Sequence, residues 1–232
     1  MRQPRRPPAF LLPDSEPWFP DPCGFDGEGL VAIGGDVSTK RLLYAYERGI
    51  FPWYAEGILP MWWSPDPRCV LERQDLHQSR SLRRTIRRGG FELSWNRCFA
   101  RVMAQCGKRR DEGTWVIPEM LRAYERLHRT GHAHSLEVWR AGALVGGIYG
   151  VQVGGLFAAE SMFHRCTDMS KVALVALVQS VCEAGIELFD VQFLTPHLES
   201  LGGREISRAD YLSRLEKSRA SSVELRELPI RL

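Results

Sequence analysis

Glu160, Asp190 and Gln192 are the residues of this chain whose types and spacing could do chemistry. The run Ala158-Ala159-Glu160-Ser161-Met162-Phe163 closes one strand-like segment, and Asp190-Val191-Gln192 closes another after an intervening helix-like segment. Strand ends that face each other across a sheet are where α/β proteins place ligands. Asp190 and Gln192 stand two apart on one strand, so both point to the same face. Taken bare, the trio offers a carboxylate pair for acid–base work, with an amide beside it.

The elements that must position these residues are readable from periodicity and punctuation. Residues 1–29 are rich in Pro, Gly and aromatics and read as ordered loop, because aromatics are not left in solvent. A short buried strand over 29–35 leads to a helix capped near Ser38 and stopped by Gly49. The Pro65/Pro67 pair marks a boundary between a small N-terminal α/β unit, 1–66, and a second unit, 67–232. That second unit opens with a strand at 69–72 and a helix over 79–88 stopped by Gly89-Gly90. A strand at 91–95 follows, then a helix capped by Asn96 that runs to Cys106. Pro118 suits the first turn of another helix, which runs to Arg129. Alternating strands over 134–139, 143–151 and 156–161 are joined by tight turns at Ala141-Gly142 and Gly154-Gly155. A strongly apolar helix, 171–183, a strand at 188–193 and a late helix near Tyr211 complete the order. An antiparallel meander followed by helix and strand is an α+β pattern.

Composition excludes several classes. The 232 residues are 44% hydrophobic and 25% charged, ordinary for a globular chain, and 31 Lys+Arg against 28 Asp+Glu leave a net charge of only +3. The longest apolar stretch, Val172 to Cys182, is interrupted by Gln179 and falls short of the roughly 18 residues needed to span a bilayer. Arg5-Arg6 hints at twin-arginine export, but the prolines and acids that follow supply no hydrophobic region. The six cysteines form no Cys-x-x-Cys pair, which reads as reduced thiols of a cytoplasmic protein. His132 and His134 flank a strand start without a third ligand, so no metal is expected. Ser161 near His164 lacks the G-x-S-x-G context of a serine nucleophile.

The strand–turn–strand, helix, strand order resembles the core of the GNAT acyltransferase fold. The strings LVAIGGDVSTKRLLYAYERGIFPWY, MWWSPDPR, SRSLRRTIRR, TWVIPEMLRAYERLHRTGHAHSLEVW, LVGGIYGV, ESMF, SKVAL and FDVQFLTPHLESLGG, in this order from Gly29 to Gly203, resemble the leucyl/phenylalanyl-tRNA–protein transferase family. Ala159, His164 and Ile148 depart from residues common in that family, namely Gly, Ser and Met. The resemblance implies a GNAT-like catalytic domain and an enzyme that moves Leu or Phe, with Met a third candidate, from aminoacyl-tRNA. The acceptor it implies is the α-amine of a protein or peptide with N-terminal Arg or Lys, and the product a signal for N-end-rule degradation. No cofactor and no membrane are implied.

Aminolysis of an ester needs a neutral amine near the carbonyl, a path for its proton and stabilisation of the oxyanion. Gln192 is a poor base, but its amide oxygen can accept a hydrogen bond from the attacking N–H. Asp190 is the better proton acceptor or electrostatic partner of the ammonium. Glu160 is expected to bind cationic groups of the acceptor or to anchor the terminal ribose. Trp53, Trp115 and Tyr124 are expected at the tRNA 3′-adenosine, where stacking on a ring is worth ~1–3 kcal/mol per base; the resemblance places both tryptophans near the donor. Ile148, Phe157, Met162 and Leu177 are expected to line the pocket for the transferred side chain. Arg80, Arg83, Arg84, Arg87 and Arg88 fall at helical spacing on one face with no carboxylate among them, a stripe suited to the tRNA backbone. Lys108-Arg109-Arg110 is a second basic cluster.

Two other classes share these features. An acetyl-CoA-dependent N-acetyltransferase needs a Gly-rich loop at a helix N-terminus for the pyrophosphate. The corresponding segment here, Arg165 to Lys171, has no glycine and carries Asp168. A non-enzymatic tRNA-binding module would account for the arginines but leaves the trio surplus.

Overall fold

The computed structural model describes residues 6–108 and 116–232. The chain first builds a four-stranded sheet from β1 (Ala9–Leu11), β2 (Leu30–Gly34), β3 (Phe51–Pro52) and β4 (Met61–Trp63), in the order β1-β2-β4-β3. Helix α1 (Thr39–Tyr46) lies between β2 and β3, and the Ser38 side chain caps it at Arg41 N.

The second sheet is larger. It takes β5 (Arg68–Val70) and then, beyond α2 (Arg80–Arg88), β6 (Glu92–Trp95). Helices α3 (Phe99–Cys106) and α4 (Pro118–Arg129) precede the long strands β7 (Ala133–Arg140), β8 (Ala143–Val153) and β9 (Leu156–His164). Helix α5 (Met169–Glu183) crosses back to β10 (Leu188–Gln192). A short α6 (Pro196–Glu199), β11 (Arg204–Ile206) and α7 (Arg208–Ser218) complete the elements. The seven strands run β11-β5-β10-β9-β8-β7-β6. β6 to β9 form an antiparallel meander, and β10 pairs parallel to β9. Meander, crossover helix and parallel strand follow the α+β order expected of a GNAT-like domain.

Both sheet faces are covered. Helix α5 is buried on nearly every side between the sheet and the C-terminal tail. This explains a sequence that is apolar all round rather than striped. The last residues, ambiguous in sequence, form a strap: Leu225 O accepts from Trp95 Nε1 at 2.6 Å, and Arg231 N donates to Ser180 Oγ at 2.7 Å. On the other face, Leu42, Tyr46 and Trp62 of the first sheet region share one core with Phe99, Met120, Tyr124 and Tyr149. Arg208, buried at the start of α7, donates to the carbonyls of Phe25, Asp26 and Ser64 and ties the late helix to the early loops.

Two expectations change here. Asn96 does not cap α3; its backbone is left-handed (φ 59°) and its side chain accepts from Ser135 N. Residues 97 and 98 are held instead by Glu137, whose carboxylate accepts from Arg97 N and Cys98 N. Phe157 and Leu177 are core. Phe157 stacks on Phe189 with ring centres 5.6 Å apart, and Leu177 is fully enclosed on α5. Replacing Leu177 by Ala leaves a cavity between helix and sheet. The expected loss is about 2–5 kcal/mol of unfolding free energy, read by urea denaturation. A loss under about 1 kcal/mol would show that the site collapses or is not core.

Candidate active site

Two irregularities open the sheet at its centre. β9 and β10 pair only as far as Ala158↔Asp190. Beyond this, Tyr149↔Ser161 is followed by Gly150↔Ala159, so Glu160 is an extra residue on β9. On β10, Asp190↔Val70 is followed by Gln192↔Cys69, and Val191 is the extra residue. Gln192 itself is left-handed (φ 63°). Bulges of this kind re-aim side chains and end pairing; a non-glycine residue held at such a φ is strain that its surroundings must support. The bulge at Glu160 also reverses alternation. Ala158 and Phe163 face the core shared with the first sheet, whereas Ala159 and Met162 face α5.

The splayed ends border a cleft of about 620 Å³, within the usual range for a small-molecule site. Ile148, Met162 and Leu174 form its apolar floor, Glu160 and Gln192 its polar edge, and Trp53 and Phe193 its mouth. Trp53 is 47% exposed and lies 5.4 Å from the Phe193 ring. The structure thus brings Glu160, Gln192, Trp53, Ile148 and Met162 together. Leu174, one turn before Leu177, takes the place expected for the latter.

Asp190 is placed differently from the expectation of a proton acceptor open to a substrate. It is 0% exposed. Arg68 Nε donates to its Oδ1 at 2.9 Å and Nη2 to its Oδ2 at 2.6 Å, a two-pronged buried ion pair. Tyr211 OH donates to Oδ2 at 2.9 Å, and Gln192 N donates to Oδ1 at 2.9 Å. The last bond holds the left-handed turn of Gln192. Arg68 is itself sandwiched, 4.7 Å from the Phe51 ring centre and 4.4 Å from that of Tyr211. Burial opposes its charge, but the Asp190 carboxylate prevails and raises the guanidinium pKa.

Glu160 sits at the cleft edge with its carboxylate enclosed. Tyr46 OH donates to Oε1 at 2.7 Å, Gln192 Nε2 donates to Oε1 at 3.0 Å, and Tyr124 OH lies 3.5 Å from Oε2. Tyr46 and Tyr124 are themselves linked at 2.5 Å. Burial raises the Glu160 pKa to about 7, against the donors Tyr46 and Gln192 and the charge of Arg68, which lower it. Both tyrosines are held protonated, burial and the nearby Glu160 raising their pKa values well above the ordinary phenol.

Tyr124 is therefore not a platform for a base. Its ring is fully buried and meets Tyr149 edge-on, and its hydroxyl serves Glu160. Trp115, Arg109 and Arg110 lie outside the described residues. Arg80, Arg83, Arg84, Arg87 and Arg88 are all exposed on α2. His164 Nδ1 meets Ser170 Oγ at 3.2 Å. His134 is buried, stacked on Trp95, with its pKa lowered to about 4 by burial. Sequence reasoning missed Arg68, Tyr46 and Tyr211, which reach the site from distant elements.

The strand order and the cleft between splayed strands are those of a GNAT-like domain with a carboxylate, an amide and phenols at the cleft. A family model described as the leucyl/phenylalanyl-tRNA protein transferase matches residues 70–216, and one for its N-terminal domain matches 35–66. Transferases named for that activity are similar over most of the chain. Those of Anaeromyxobacter sp. (strain K) and Syntrophobacter fumaroxidans (strain DSM 10017 / MPOB) are 50% identical over 91% of both chains. That of Klebsiella pneumoniae (strain 342) is 48% identical over 85% of both. A ribosomal-protein-alanine N-acetyltransferase structure from Brucella melitensis biovar Abortus 2308 aligns with 62% of the chain and all of its own, at 14% identity and a TM-score of 0.35, too loose to bear on the fold. The chain belongs to the leucyl/phenylalanyl-tRNA–protein transferase family and is an aminoacyltransferase.

Two outcomes follow from the electrostatics. Asp190→Asn strands a buried guanidinium, so unfolding free energy should fall by about 3–5 kcal/mol in urea titrations; an unchanged midpoint would sink the clamp. For Glu160 the folded pKa, about 7, exceeds the ordinary 4.5, so the folded state binds the extra proton. Its contribution to stability is therefore most favourable below 4.5, falls as pH rises to about 7 and stays low above. Glu160→Gln should flatten that part of the stability–pH curve, and parallel wild-type and variant curves would contradict it.

Proposed function

We propose that the protein transfers leucyl or phenylalanyl from aminoacyl-tRNA to the α-amine of proteins with N-terminal Arg or Lys, in the cytoplasm, marking them for degradation. The observation that carries this reading is the pairing of an apolar cleft with the Glu160–Gln192 edge. Ile148, Met162 and Leu174 accept an unbranched-at-Cβ side chain, and the amide and carboxylate stand where an amine would approach. Methylene-scale fit gives only ~10–200-fold discrimination, so selectivity is real but leaky.

In the proposed reaction the amine nitrogen bonds to the ester carbonyl carbon, and the bond from that carbon to the ribose oxygen breaks. Gln192 uses its Nε2 on Glu160, leaving the amide oxygen to accept from the attacking N–H and orient it. Glu160, with a pKa near the operating pH, takes the amine's surplus proton. The departing ribose oxygen takes up a proton in turn, so the exchange balances. Asp190 acts through Gln192, fixing its backbone, and does not meet the amine. Trp53 at the mouth offers a face to the terminal adenosine, with Trp115 as its partner. The exposed stripe Arg80, Arg83, Arg84, Arg87 and Arg88 holds the tRNA backbone.

An acetyl-CoA reading is disfavoured by the start of α5, where Asp168 occupies the anion position and no glycine loop precedes the helix.

The test is mass spectrometry after incubating leucyl- or phenylalanyl-tRNA with a peptide starting in Arg. One added Leu or Phe is expected, with none on the same peptide carrying a blocked N-terminus. Transfer should rise with pH through about 7, and Glu160→Gln should lose that limb along with most of the rate. No product, or a wild-type profile in the variant, overturns the assignment.

A further inference from the structure

The arginine stripe on α2 does not end at its last residue. Gly89 and Gly90 turn the chain toward β6, and the turn stands beside Arg140 at the end of β7 and Thr167-Asp168 at the start of α5. These segments enclose a cleft of about 410 Å³ lined by Thr85, Arg88, Arg140 and Thr167, separate from the transfer cleft. Arg140 is half-buried there. Its Nε is enclosed and makes no hydrogen bond, and no carboxylate among the described residues pairs with its guanidinium. Burying a guanidinium donor without a partner is costly unless a ligand supplies one. Asp168 is the one acid among the described residues that line the cleft. It is engaged, accepting from Thr85 Oγ1 at 3.3 Å and pairing with Lys171 at 3.5 Å. Arg88, Arg140 and Lys171 against Asp168 leave the region net cationic. Nothing fills the space above Gly89 and Gly90, where an added Cβ would meet no atom within 4 Å.

We propose that this cleft is a phosphate-diester subsite for the nucleic-acid backbone, with Arg140 as its anchor and Arg88 as its link to the exposed stripe. A guanidinium with no carboxylate partner among the described residues suits a phosphate oxygen, and the Thr167 hydroxyl can donate to the same group. The subsite rests on the reading that α2 tracks tRNA, and extends that track around the end of the helix toward α5. It gives the enzyme one enclosed phosphate contact among exposed ones. Enclosed contacts fix register, whereas exposed cations mainly supply long-range attraction.

The experiment measures binding of uncharged tRNA-Leu to the full chain over a range of salt. For wild type, log K falls with log salt at a slope of roughly 0.7–0.9 per phosphate neutralised. Arg140→Gln should reduce the slope by about one such contact and weaken binding several-fold, with the thermal midpoint unchanged. Thr167→Asp, an exposed position on the rim, should weaken binding likewise and serves if Arg140→Gln fails to fold. The triple variant Arg83→Ala, Arg84→Ala, Arg87→Ala is the control for the stripe. If the triple variant flattens the slope and neither cleft variant does, the stripe stands and the subsite falls. If none of the three changes the slope, the tRNA track on α2 falls with it.

Discussion

The buried ion pair of Arg68 with Asp190 is the constraint on which the site depends. Two charges are removed from water, and that cost is met only because both prongs of the guanidinium are used and the remaining oxygen positions are filled by Tyr211 OH and Gln192 N. Each partner belongs to a different part of the chain: Arg68 opens β5, Asp190 closes β10 and Tyr211 lies on α7. Arg68 Nη1 also donates to Gly49 O, just beyond α1. One side chain therefore joins the small sheet region, the central strands and the late helix. An alternative packing would leave a bare charge in the core, so the pair acts on specificity of structure more than on net stability.

That clamp has a direct mechanical result. Asp190 accepts the N–H of Gln192 and so supports its left-handed backbone. The turn lifts the Gln192 amide off the sheet and toward Glu160 on the neighbouring strand. With a regular β10, pairing with β9 would continue past Ala158 and the cleft would close. The bulge at Glu160 completes the separation and rotates Met162 toward α5. Strain and cavity are thus one feature: the backbone irregularities that cost energy are what keep the strands apart.

Much of this architecture was legible in the sequence, and the failures have physical causes. Pro118 placed α4, Gly89-Gly90 ended α2, and alternation gave the meander. Glu160 and Gln192 meet at their strand ends, while Asp190 lies behind them against Arg68. Alternation alone cannot assign the faces of β9, because it assumes regular pairing. Phe157 and Met162 lie on either side of the bulge yet both face α5; the Phe157 ring packs on Phe189, and only Met162 reaches the cleft. Leu177 and Leu174 are both plausible on an all-apolar helix, and only tertiary packing selects the one that reaches the cleft. Tyr124 reads in sequence as an aromatic platform, but its hydroxyl, not its ring, meets the site. Arg68 carries no local signal of its role, since its partner is 122 positions away and no spacing connects them.

The two carboxylates of the site are given different partners. Asp190 faces a guanidinium, a full opposite charge held by two bonds. Glu160 faces only neutral donors, two phenols and an amide, at a half-buried place on the cleft edge. Neutral donors compensate a buried charge less completely than an ion does, so burial dominates and the Glu160 pKa climbs to about 7. Asp190 adds to the rise by its own charge, and Arg68 partly offsets it. A carboxylate poised there can exchange a proton with an amine. The division of labour follows from which partner each acid is given: the ion makes Asp190 structural, and the neutral shell makes Glu160 available.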